Sequence, residues 1–142
     1  MIVCDTNVLS EPTRLNPDGR VLDWWAAHAD ELAMTAINIQ ELRYGLALLP
    51  QGKRARELTS RVDGLIAVLP EALPYDWVAA EECGRLLAAM RGSGRQPGGP
   101  EDAQLASIAK VSGATLATRN TKHFEGWGVP LVNPWDWEGG AE

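Results

Sequence analysis

Asp5, Glu41, Asp102 and Asn120 are the residues whose types and spacing could do chemistry in this chain. Asp5 ends the apolar run Met1–Cys4, and Glu41 lies in an amphipathic stretch. Asp102 follows Pro100 at the start of another such stretch, and Asn120 comes just after the apolar run Ala114–Ala117. Three carboxylates and a carboxamide from separate elements make an all-oxygen donor set. Hard divalent cations such as Mg2+ or Mn2+ take such ligands, usually a few carboxylates with water and substrate phosphate. The set therefore suits metal-assisted phosphodiester hydrolysis, in which a metal acidifies a water and stabilises charge on the leaving oxygen. With two histidines, two cysteines and no CxxC pair, zinc is a poor fit.

Each residue also has a purely structural explanation. Asp5 can cap the turn through Thr6 and Asn7. Glu41 stands three residues after Asn38, so Asn38-Ile39-Gln40-Glu41 reads as a capping box. Asp102 sits where a carboxylate favours the positive end of a helix dipole. Asn120 can support a turn. Taken one at a time, the residues leave both readings open.

The elements that must position them follow from periodicity. Met1–Cys4 reads as a short buried strand, and a second short strand is expected over 31–35. Val21, Leu22, Trp24, Trp25 and His28 have helical spacing. A helix opening at Asn38 carries Ile39, Leu42, Leu46 and Leu49 and ends at Pro50. An amphipathic helix over 53–69 places Leu58, Val62, Leu65, Ile66 and Leu69 on one side. Pro70 and Pro74 bracket a connection with room for an edge strand. Residues 77–90 read as helix and 92–100 as loop. Pro100 suits the first turn of a helix reaching Ser112, with Gly113 as its stop. Residues 114–117 and, more weakly, 129–132 complete the strand candidates. Strands alternating with helices indicate an α/β fold with a mostly parallel sheet. Functional groups in such sheets gather beyond the carboxyl ends of the strands, where Asp5 and Thr118–Asn120 fall.

Composition narrows the rest. A length of 142 residues fits one domain over 1–142, and 45% hydrophobic content allows a real core. The net charge of −6 argues against a broad basic groove for nucleic acid. Carboxylates holding cations can still bring phosphate to an acidic site. No apolar run approaches the roughly 18–20 residues of a membrane span, and no basic-then-apolar start marks a signal peptide. A cytoplasmic, non-membrane protein is the expectation. Cys4 and Cys83 read as small buried hydrophobes.

Order and surroundings then tie the acids together. The chain runs IVCDTNVLSE, TAINIQELRYG, PEDAQLASIAK, TLATRNTKHF and LVNPW. This series resembles the PIN-domain family, specifically the VapC-like toxins of bacterial toxin–antitoxin pairs, over nearly its whole length. The resemblance implies a three-layer α/β/α sandwich and a metal-dependent endoribonuclease site. It places Asp5, Glu41 and Asp102 as ligands of Mg2+ or Mn2+, and Asn120 at the family's fourth Asp or Asn. Thr6 and Thr118 match hydroxyl positions that support the carboxylates or water. It further implies an RNA substrate, inhibition by a cognate antitoxin and a homodimer. The alternative is a catalytically inactive PIN domain that acts as a partner-binding module.

Two features depart from the family pattern. His123 stands where many relatives have an Asp, which with the neutral Asn120 leaves three secure negative charges and favours one metal over two. His123 is expected as a surface histidine in a turn, with contact to phosphate or metal as the lesser alternative. The chain also has six tryptophans. One of Trp24 and Trp25 is expected in the core, and the other is a candidate dimer or antitoxin contact. Lys53, Arg54 and Arg56, the only compact basic group, read as a solvated helix face or an RNA contact. A superficial likeness to aspartate-nucleophile phosphatases fails at Asn7, which cannot exchange a proton where those enzymes need an acid.

Overall fold

Side-chain alternation along β1 (Ile2–Cys4) sets the architecture: Val3 enters one hydrophobic core, while Ile2 and Cys4 enter another. A computed structural model describes residues 1–69, 72–94 and 99–139. Within it β2 (Leu32–Thr35), β3 (Ala72–Leu73), β4 (Thr115–Ala117) and β5 (Leu131–Val132) join β1 in one sheet of order β3-β2-β1-β4-β5. Every pairing is parallel, with Ile2 opposite both Leu32 and Thr115. The expectation of a mostly parallel sheet is met in full. Leu116 and Leu131 face the same core as Val3, whereas Ala117 and Val132 face the other, so the period of two persists across the sheet. Both faces are thereby buried, as a parallel sheet requires.

Helices cover the two faces. On one side lie α1 (Thr6–Ser10), α2 (Gly19–His28), α3 (Ala36–Ala47) and α4 (Lys53–Val68), contributing Val8, Leu9, Trp24, Leu42, Val62 and Leu65. On the other lie α5 (Trp77–Gly92), α6 (Pro100–Val111) and the single turn α7 (Thr121–Phe124), contributing Cys83, Leu86, Leu105, Ala106 and Phe124. The result is the expected three-layer sandwich. Trp24 is the largest fully buried side chain, and truncating an aromatic of this kind costs about 3–5 kcal/mol. Cys4 and Cys83 are both buried and unpaired with each other, as expected of small hydrophobes. Among the described residues no helix is long and apolar enough to cross a membrane.

Local chemistry explains the boundaries. Asp18 caps α2 by accepting from the backbone N–H of Arg20, and Asp76 caps α5 by accepting from Ala79. Pro100 occupies the first turn of α6, and Gly113, at φ 65°, releases the chain from that helix toward β4. Ala72–Leu73 forms the edge strand expected near Pro74; Pro70 and residues 95–98 of the expected loop lie outside the described residues, as do 140–142.

Two expectations need correction. The third helix opens at Ala36, not Asn38. Thr35 is its N-cap, and the capping box joins Thr35 to Asn38 rather than Asn38 to Glu41. A threonine three residues before a polar side chain is itself a cap signal, and it outranks the later one because it sits at the strand end. Trp24 does fill the core, but Trp25 is not a free interface residue. It packs against the same core, and its indole N–H donates to the carbonyl of Val8 at 3.3 Å. The exposed tryptophan is Trp77, at 80%.

Candidate active site

Strand order reverses at β1: the chain runs outward through β2 and β3, then crosses to β4 and β5. The carboxyl ends of β1 and β4 therefore flank the switch point, the crevice where open parallel sheets bind ligands. Asp5 stands there, its backbone N–H donating to the carbonyl of Ala117 at 2.8 Å. Its Oδ1 accepts from the Thr6 N–H at 2.8 Å, and its Oδ2 accepts from the Thr118 hydroxyl at 2.9 Å. Both readings of Asp5 hold at once. It caps α1, and it is also held facing across the switch point.

Glu41 comes from α3, half-buried, and its Oε1 accepts from the Thr6 hydroxyl at 2.8 Å. Thr6 in turn accepts from the Asn38 side-chain amide at 2.9 Å. A hydroxyl that accepts from behind has its own proton free to point forward, so Asn38 directs the Thr6 proton onto Glu41. The same device operates on Asp5: the Thr118 hydroxyl accepts from the Asn120 backbone N–H at 3.0 Å before donating to Oδ2. Thr6 and Thr118 thus support the carboxylates as the sequence implied.

Asn38 is fully buried and uses every side-chain bond it can make. Its amide donates to Thr6 and, at 3.0 Å, to the carbonyl of Cys4. Its Oδ1 accepts from the Thr35 N–H at 2.8 Å and the Thr35 hydroxyl at 2.9 Å. Sequence reasoning missed this role, although the Thr35–Asn38 spacing carried the signal.

Asp102 lies in the first turn of α6, where the helix dipole also favours a carboxylate. His123, from α7, brings its Nε2 to 3.0 Å from Asp102 Oδ2. The approach is that of an ion pair in distance, off the line of an ideal N–H bond in direction. His123 is therefore not the free surface histidine expected of a turn: its ring packs on Phe124 and Trp127, with centroids 5.3 Å and 5.9 Å away. Asn120 is exposed at the N-cap of α7, and its side chain makes no capping bond. Lys53, Arg54 and Arg56 are solvent-exposed on α4, Lys53 pairing at 3.8 Å with Glu57.

Electrostatics bind the three acids into one group. Burial raises the pKa of Asp5, opposed by the Thr118 bond, and the Asp102 charge raises it further. Burial also raises Glu41, with the charges of Asp5, Asp102 and Glu101 adding to it against the Thr6 bond. Asp102 is raised by burial and by Glu101, against the pull of His123. The Asp102 charge thus acts on both Asp5 and Glu41, and a cation among them would relieve that repulsion.

The donor chemistry therefore fits a hard divalent metal. Among the described residues, no three acidic, histidine or cysteine side chains already close around a single point. Mg2+ keeps several waters and needs only one or two direct carboxylates, so an open cluster still suits it.

Comparison with known proteins agrees with this geometry. The PIN domain family matches residues 2–126. The chain belongs to the PIN-domain family. It is 40% identical over 139 residues to the VapC ribonuclease Y4jK of Sinorhizobium fredii, covering 96% of this chain and 99% of that protein. It is 35% identical over 138 residues to the toxin FitB of Neisseria gonorrhoeae, covering 95% and 99%. The crystal structure of FitAcB from Neisseria gonorrhoeae superposes with a TM-score of 0.88 at 33% identity, over 96% of this chain and 100% of that one. The fold and the VapC-like membership read from the sequence are both supported.

Proposed function

We propose that this PIN domain is a metal-dependent endoribonuclease toxin, inhibited by a cognate antitoxin. One observation carries the reading: three half-buried carboxylates, Asp5 just after β1, Glu41 on α3 and Asp102 on α6, are electrostatically linked beside the switch point, the Asp102 charge raising both Asp5 and Glu41 and the Asp5 charge raising Glu41. Names of similar proteins, a VapC ribonuclease and a toxin, point the same way.

Asp5, Asp102 and Glu41 would hold Mg2+ or Mn2+, directly or through water. When bound, the metal supplies an acidified water and stabilises charge on the scissile phosphate. Thr118 and Thr6 fix the Asp5 and Glu41 oxygens beforehand, so little reorganisation is left for the reaction itself. Asn120 contributes an uncharged fourth position, which favours a single resident metal. An antitoxin arginine pairing bidentately with the same acids would block the site. The proposal includes a cytoplasmic location and a homodimer, for which exposed Tyr44, Leu48, Trp77 and Val78 offer apolar surface.

RNA cleavage by wild type and Asp5→Asn, in Mg2+, Mn2+ or EDTA, tests this. Wild-type cleavage should vanish in EDTA, and the substitution should lower it roughly a thousandfold, about 4 kcal/mol of transition-state stabilisation. Cleavage indifferent to both would overturn the catalytic role of Asp5 and of the metal. A wild type that cuts no RNA with either metal leaves the partner-binding module as the better reading.

A further inference from the structure

Each of the three acids has one polar side chain from a different element set against it, two of them hydrogen-bonding hydroxyls and the third an imidazole at ion-pair distance. Thr118 donates to Asp5 Oδ2, Thr6 donates to Glu41 Oε1, and His123 stands 3.0 Å from Asp102 Oδ2. The first two donors are hydroxyls aimed by a partner behind them. The third is an imidazole aimed by packing. Phe124 meets the His123 ring edge-on at 87°, and Trp127 lies tilted against it at 53°. Both aromatics are core residues, 1% and 3% exposed, so the wall behind the histidine is fixed.

Asp102 has no equivalent of the hydroxyl that steadies Asp5 or Glu41. A half-buried carboxylate in the first turn of a helix can rotate about χ2 unless one oxygen is held. His123 is the side chain placed to hold it.

We propose that His123 is the positioning residue of Asp102: standing against Oδ2, it fixes the orientation of the carboxylate that would bind the metal. This rests on the metal-dependent reading above. His123 thereby does a different task from a fourth carboxylate. It adds no negative charge, and it acts on the metal through Asp102. Groups that orient metal-binding side chains in this way typically influence affinity by about 10–100-fold.

The test measures Mn2+ affinity by calorimetry, together with the melting temperature in EDTA, for wild type, His123→Phe, His123→Gln and His123→Leu. Phenylalanine keeps the ring against Phe124 and Trp127 and removes the donor. Glutamine loses the ring but carries an amide N–H at similar reach. His123→Phe should melt close to wild type in EDTA while its Mn2+ dissociation constant rises about tenfold. Glutamine should recover most of that loss, and leucine should not. If the phenylalanine variant fails to fold, the ratio between glutamine and leucine decides the matter. Mn2+ affinity equal to wild type in His123→Phe, or equal in glutamine and leucine, overturns the positioning role and leaves the nuclease reading standing. A wild type that binds no Mn2+ overturns both.

Discussion

On the β1–α3 flank of the cluster, Asn38 is fully buried and all four of its side-chain hydrogen-bonding positions are used, two on Thr35, one on Cys4 and one on Thr6. On the α6–α7 flank, Asp102 relies on one imidazole and Asn120 faces solvent. The first flank is built as part of the core; the second is assembled at the surface from a helix start and a single helical turn. The nuclease site proposed above would need a fixed side, against which geometry is set, and an approachable side through which a phosphate could enter. The difference teaches that substitutions on the two flanks should be read differently. Those near Asn38 act on folding and on catalysis together, whereas those near Asn120 act mainly through the charge and ligands that a metal meets.

Asn38→Ala should break that contrast open with the largest effect. It orphans the Thr35 N–H and the Cys4 carbonyl inside the core and leaves a small void, costing about 2–4 kcal/mol. For a chain of this size that lowers the melting temperature by about 8–15 °C. Thr6 also loses the bond that aims its proton at Glu41, so cleavage per folded molecule should fall about tenfold. Thermal melts and RNA cleavage on the folded fraction check both. Melting unchanged within a degree or two would mean that the inner flank is no more rigid than the outer.

How far this contrast was legible in the sequence differs by element. The strands showed themselves because β1 and β4 are short apolar runs, each followed by a residue of the site, and the parallel sheet followed from their alternation with helices. Asp5, Glu41 and Asp102 could be put forward as a group from type and order, and the charges of Asp5 and Asp102 do act on Glu41 in the fold. What failed was anything decided by a side chain's partner across the fold. Asn38 looked like a helix opener because its own spacing to Glu41 fits a capping box. Only the pairing of β1 beside β2 brings Cys4 and Thr6 within its reach. His123 looked like a surface residue because a turn is normally exposed. Phe124 and Trp127, one and four positions on, are core residues that draw the turn inward. Trp25 was mistaken for a contact residue because helical spacing shows which way a side chain points, not that Val8 waits there with a free carbonyl.

The shared charge of the cluster offers a smaller effect with a defined sign. Asp5, Glu41 and Asp102 all have pKa values above the ordinary carboxylate range, with burial as the first cause. The folded state thus binds more protons than the unfolded state between that range and the raised values. The stability these groups contribute is fully present below the unfolded-state value of about 4 and is lost as pH rises through the folded-state values. In EDTA, Asp5→Asn should therefore melt with wild type near pH 4 and a few degrees above it by pH 7. Saturating Mg2+ should narrow or reverse the gap, because only the wild type gains full binding energy. Differential scanning calorimetry across pH, with and without metal, reads both effects. A gap that is largest at low pH would contradict the assigned direction.

Asn120 should give the smallest response, and that is what makes it informative about the outer flank. Its backbone N–H, not its side chain, steadies Thr118, and any residue but proline supplies that bond. Its carboxamide is exposed and caps nothing. Asn120→Ala should leave the melting temperature within a degree or so of wild type and reduce cleavage by no more than about threefold, roughly 0.7 kcal/mol. Asn120→Asp should act in the opposite sense. A fourth carboxylate beside Asp5 and Asp102 raises the repulsion in the metal-free state and adds an oxygen ligand, so Mn2+ should bind more tightly while the metal-free protein melts lower. Calorimetric titration of the two variants separates these effects. If Asn120→Ala instead abolished Mn2+ binding with folding intact, the carboxamide would be a direct ligand, and the outer flank would hold the metal as firmly as the inner one.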